Sequence, residues 1–158
     1  NAVLSGVAQG LQPLWSHCYG RQDTEEMAWY FRRGIVINSI LSIFIYGILF
    51  VFDTHVICIF NRDAYFVRIA SAALPLFCLS FIPMAINLIY TEFLFSTKRT
   101  GAADIIAISR GIVVKAMAIL GIPMLFGVDT IWIAPLVAEF ITLILAIWLS
   151  KKTKLEYK

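Results

Sequence analysis

The chain has 158 residues, 60% of them hydrophobic and only 15% charged, with a formal net charge of +3. Soluble domains carry about 25% charged residues and about 45–50% apolar ones, so this composition excludes a water-soluble domain and indicates an integral membrane protein. The basic residues are dispersed and build no basic helix, which excludes a nucleic-acid partner and leaves the lipid bilayer as the surroundings.

Hydropathy predicts an all-α polytopic membrane helix bundle with five transmembrane helices, at about residues 2–19, 34–52, 69–95, 102–126 and 131–149. Apolar sequence begins directly after Asn1, with no Met and no basic region before it. That pattern excludes a signal peptide and is expected of a piece of a longer protein.

The first segment contains "GVAQGLQPLWSHCYG". On a helix, Ser5, Gln9, Gln12 and Ser16 are spaced four, three and four apart and share one polar stripe. Ala2, Gly6 and Gly10 form a neighbouring stripe of small residues, where another helix backbone is expected to approach closely. Pro13 opens a backbone carbonyl that some other group or water must satisfy. The two glutamines either bond a neighbouring helix, at about 0.6 kcal/mol each, or line a water-filled cavity.

A polar turn, "GRQDTEE", leads to the second segment. After it, "DTHVICIFNRDAYFVRIAS" is mixed and amphipathic and is expected at the membrane interface. The third segment carries Pro75 and Pro83, with Ser80, Met84, Asn87 and Thr91 on one face. Proline-interrupted polar helices recur where transporters bind substrate, and such a stripe serves equally as glue between helices. "STKRTG" precedes the fourth segment and "GVDT" the fifth, where Trp132 and Trp148 suit the two aromatic belts.

Alternating the spans places Arg21, Arg32, Arg33, Lys98, Arg99, Lys151, Lys152, Lys154 and Lys158 on one side and only Arg62 and Arg68 on the other. By the positive-inside rule, the first loop, "STKRTG" and a tail at 151–158 are cytoplasmic, in a multi-pass protein expected in the plasma (inner) membrane.

Five charges fall in or near the spans: Glu92, Asp104, Arg110, Lys115 and Glu139. Glu92 and Asp104 lie close enough to the cytoplasmic end to reach water, and Arg110 can snorkel. At 1.5 Å per residue, Lys115 is roughly 20 Å along its helix and Glu139 roughly 12 Å along the next from the opposite side. An unpaired charge at that depth costs at least ~2.5–3.5 kcal/mol. Lys115 and Glu139 are therefore expected to face each other or to share one polar cavity, as a static tie or as part of a transport site.

Cys18, Cys58 and Cys78 lack any CxxC spacing, so neither a metal site nor a disulfide framework is expected. No His-Glu-x-x-His, Gly-x-Ser-x-Gly or paired acids occur, and neither an enzyme nor a bound cofactor is expected.

"GVAQGLQPLWSHCYGRQD" resembles a signature of the multidrug and toxic compound extrusion (MATE) transporters, "GxxQGxQPLxSxNYGA". "IFNRDAYFVRIASAALPLF" is similar to the family's outer-loop pattern, "SRGIV" to the opening of its eleventh helix, and "WIAPLVAEFITLILAIWL" to its last helix around Pro135, Ala138 and Glu139. The chain departs from the pattern at His17 and Cys18, and at Glu92. The resemblance implies that residues 1–150 are part of the C-terminal lobe, helices 8 to 12 of a twelve-helix, two-lobed protein. It implies an antiporter that exports amphipathic or cationic small molecules in exchange for Na⁺ or H⁺, partnered by an N-terminal lobe of the same chain. Gln9, Gln12, Ser16, Asn87 and Thr91 would line the cavity, with Lys115, Glu139, Arg110 and Glu92 as its charges. The alternatives are a lipid-linked oligosaccharide flippase of the same superfamily, which calls for a strongly cationic cavity, and a non-transporting membrane subunit.

Overall fold

The computed structural model describes residues 2–155, with the side chains of that stretch except those of 129 and 153–155. Among the described residues every regular element is helical, in keeping with the all-α expectation. Among the described residues, four stretches are long and apolar enough to cross a membrane: Thr24–Val51, Ala64–Ser96, Thr100–Phe126 and Thr130–Lys152.

The count is four rather than five because the first segment is broken. Leu11 separates α1 (Ala2–Gly10) from α2 (Gln12–Gly20). Pro13 has no N–H to give the Gln9 carbonyl, and Leu11 N instead closes a tighter turn onto Ala8 O at 3.3 Å.

α3 (Thr24–Val51) starts ten residues before the apolar run that marked it in the sequence. Asp23 caps it, its Oδ1 accepting from Glu26 N at 3.0 Å, and a cap of this kind contributes about 1 kcal/mol. The charged first turn is loop-like in hydropathy and helical in fact.

α4 (Asp53–Phe60) is joined to α5 (Ala64–Leu79) by a turn in which Asn61 Oδ1 accepts from Asp63 N and Asp63 Oδ1 from Phe66 N, both at 2.9 Å. Asp63, the acid of "IFNRDAYF", is thus the N-cap of α5, which begins at Ala64 rather than 69.

Ser80 separates α5 from α6 (Phe81–Ser96). Pro83 cannot donate to the Leu79 carbonyl, and the Ser80 hydroxyl turns back onto Phe77 O at 2.6 Å. Pro75 is accommodated inside α5.

α7 (Thr100–Ile108) continues through a π-helical turn, Ser109–Val113, into α8 (Val114–Phe126). Gly127, at φ +96°, ends α8 in a conformation that favours glycine. A 3₁₀ turn, Val128–Ile133, leads into α9 (Ala134–Leu155), so the stretch after 149 stays helical as far as Leu155.

α6 is the hub and packs against α1, α2, α3, α5, α7 and α9. Pro83, Met84, Ala85, Asn87, Leu88, Ile89, Thr91 and Leu94 are all buried on it. The main apolar core joins it to Leu4, Ala8 and Trp15 of α1 and α2. Trp15 is fully buried, with its ring edge-on to Phe93 at 5.6 Å.

The close helix approach expected at Ala2, Gly6 and Gly10 is elsewhere within this chain. A side chain added at Gly6 or Gly10 would meet nothing within 4 Å, whereas at Gly34 it would meet Leu11 Cδ1 at 2.6 Å. Close packing is made by one glycine on α3, and the three-residue stripe faces outward.

Candidate functional site

The first loop and the "STKRTG" loop lie at the same end of the bundle. They wall one cavity of about 800 Å³ that includes Ser16, Asp23, Ser96, Lys98 and Arg99. Gln22 and Lys98 both take φ of +59°, and the loops close alike: Asp23 N donates to Cys18 O at 3.0 Å, Arg99 N to Leu94 O at 2.9 Å. Lys151 and Lys152 are exposed, and Lys152 Nζ sits 5.3 Å from the Trp148 ring centre. Lys158 and the Lys154 side chain lie outside the described residues.

The polar stripe of the first segment is distributed by the break at Leu11. Ser16 is exposed in the loop-end cavity, and Gln9 is exposed. Gln12 is half-buried, and its Nε2 donates to the Glu92 carboxylate on α6. Glu92 therefore has a partner across the bundle rather than water alone. Nothing in either segment's pattern pairs these two residues, because the contact depends on how α2 crosses α6.

At mid-bundle α6, α8 and α9 converge. Glu139, on α9, is only 2% exposed. Its Oε1 lies 3.7 Å from Lys115 Nζ on α8, whose side chain is 39% exposed. Its Oε2 accepts from Asn87 Nδ2 on α6 at 2.9 Å, and the same amide donates to the Glu139 backbone carbonyl at 2.9 Å. One amide on the hub helix thus fixes both the rotamer of the carboxylate and the register of α9 against α6. The Asn87 Oδ1 is buried and has no partner among the described residues.

Thr91, on the same face, is buried but donates to Asn87 O at 2.9 Å within its own helix. It braces Asn87 and makes no bond across the bundle. Thr142 does the same on α9, donating to Ala138 O at 2.9 Å. A further tie that hydropathy hides is Asn38 of α3, fully buried, whose Nδ2 donates to Ala85 O at 2.9 Å.

A cavity of about 170 Å³ opens onto the ion pair, walled by Ser5, Met84, Leu88, Arg110, Gly111, Lys115 and Glu139. Arg110 and Gly111 reach it from the π-helical turn. Such turns often sit at functional sites because they rotate side chains off the regular helical face. Arg110 does not snorkel away from the ion pair and shares its cavity. Among the described residues no three His, Cys, Asp or Glu side chains come together to hold a metal.

This arrangement is a polar pocket at membrane depth with one buried carboxylate, two cations and an amide that orients the carboxylate. It can bind and orient charged groups. Residues 2–120 match the MatE family, a stretch that includes Asn87, Arg110 and Lys115 and ends before Glu139. No curated protein and no solved structure matches the chain at a significant level.

Proposed function

The chain belongs to the MatE family, whose members are membrane transporters rather than enzymes, and on that premise we propose that it acts in a secondary antiporter exporting amphipathic small molecules in exchange for Na⁺ or H⁺. The chain would contribute one lobe of an alternating-access path through the plasma membrane, with its C-terminus in the cytoplasm. The observation that supports this most is the ion pair of Glu139 and Lys115, which opens onto a cavity instead of being sealed in a core. A purely structural tie would be expected to exclude space and water, since polar groups in hydrocarbon are costly unless they face a partner or a cavity.

The broken helices add to the reading. α1–α2 is interrupted at Leu11, α5–α6 at Ser80 and α7–α8 at the π-helical turn, all on the helices around this cavity. Interrupted helices at a midplane site are how secondary transporters line their paths. The test is counterflow: purified intact protein in proteoliposomes should couple efflux of an amphipathic dye to a Na⁺ or H⁺ gradient. Dye release indifferent to both gradients would reject the antiporter.

A further inference from the structure

We infer that the cavity beside Glu139 is a subsite for an oxyanion, the phosphate or carboxylate head of an amphipathic ligand. The inference rests on the transport reading of the same cavity for what the ligand does next, but not for its binding.

Arg110 and Lys115 line the cavity against one carboxylate, Glu139, so its formal charge is +1. Glu139 is already committed. Its Oε2 takes the Asn87 amide, and its Oε1 stands 3.7 Å from Lys115, beyond hydrogen-bond reach. Among the described residues the Arg110 side chain has no ion pair or hydrogen bond, and the Lys115 ammonium has only that one loose contact. A guanidinium offers five N–H donors and an ammonium three, and neither can accept. The cavity therefore presents unused donors and net positive charge at membrane depth, where an unanswered cation is costly.

The chemistry that answers both is an oxyanion. A guanidinium fork matches carboxylate or phosphate oxygens two at a time, with charge-assisted bonds about twice as strong as neutral ones. A cationic ligand would meet two like charges and one carboxylate that already has partners, which moves the substrate away from the cations that the family resemblance implies. Size sets the second limit. Pockets for whole drug-sized ligands span roughly 300–1,000 Å³, and about 170 Å³ holds a compact head with its apolar body outside. Met84 and Leu88 supply an apolar wall on which that body can begin.

The test is equilibrium binding of decyl phosphate, with decyltrimethylammonium as its opposite, to the intact protein in zwitterionic nanodiscs. Decyl phosphate should bind. Arg110→Gln and Lys115→Met should each weaken it about tenfold. Glu139→Gln should strengthen it several-fold, because it deletes the competing carboxylate in nearly the same shape. Decyltrimethylammonium should bind no more tightly than to empty discs. Phosphatidylglycerol added to the nanodiscs identifies the natural source. If it weakens decyl phosphate binding to wild type but not to Arg110→Gln, the head is a lipid's. If it changes nothing, the head belongs to a soluble amphiphile, and the subsite stands in both cases. Should Arg110→Gln fail to fold, Arg110→Lys, which keeps the charge and loses the fork, and the sign of the Glu139→Gln effect carry the test. Unchanged decyl phosphate binding in a folded Arg110 variant overturns the inference, as does ammonium binding that is lost in Glu139→Gln. Binding without ion-coupled efflux would count against the antiporter and leave the subsite intact.

Discussion

Glu92 and Glu139 both lie on membrane-crossing helices, and both accept a hydrogen bond from a side-chain amide of another helix. There the likeness ends. Glu92 is half-buried, four residues from the end of α6, about 6 Å along the axis. Gln12 is its partner, and no cation pairs with it among the described residues. Glu139 is 2% exposed and sits nine residues into its span, about 13 Å along. It has an amide, and an ammonium besides. Depth explains the difference. Near the helix end, water screens the charge and a neutral donor suffices, whereas at mid-bundle the low dielectric makes a counter-charge necessary. The two sites teach that an amide orients a membrane carboxylate, and that only a cation makes it tolerable where water is scarce.

This contrast can be broken in order of expected effect by equilibrium unfolding in detergent. Asn87→Leu should cost most, about 3 kcal/mol, because a fully buried amide is lost from a carboxylate that has almost no access to water. A loss below that of an exposed hydrogen bond would mean that Asn87 does not hold Glu139. Lys115→Met should cost less, about 2 kcal/mol. Breaking a fully buried pair costs about 3–5 kcal/mol, and this lysine is partly open to the cavity, so part of that penalty is met by solvent. Glu139→Gln made in the Lys115→Met background should recover much of the loss; no recovery would show that the two residues do not interact. Gln12→Leu should cost least, under about 1 kcal/mol, as expected for a half-exposed contact. An effect as large as that of Asn87→Leu would erase the distinction between the two carboxylates.

The sequence made the class of fold plain, because apolar runs of span length leave few alternatives in 158 residues. It was less informative about boundaries. α3 begins at Thr24 because Asp23 caps a charged turn, and capping is a signal that hydropathy overlooks. The break at Leu11 could be anticipated from Pro13, but its consequence could not. It sends Gln12 to Glu92 and leaves Ser16 in the loop-end cavity, so residues on one ideal stripe serve different places. Depth along a helix follows from its rise, which is why Lys115 and Glu139 could be considered together from sequence. Facing does not. That Asn87 holds the carboxylate, or that Arg110 shares the cavity through a π-helical turn, depends on how three helices pack. The small-residue stripe makes the same point in reverse: Gly6 and Gly10 meet nothing, while a lone Gly34 takes the closest approach.

The most direct test of the account is ion-coupled dye efflux by Glu139→Gln in proteoliposomes, beside a melting curve of the same sample. If Glu139 serves a transport site, efflux should fall about tenfold or more while the melting temperature stays close to wild type. Wild-type efflux from a correctly folded Glu139→Gln protein would contradict it, and would leave the carboxylate as a tie between α6, α8 and α9.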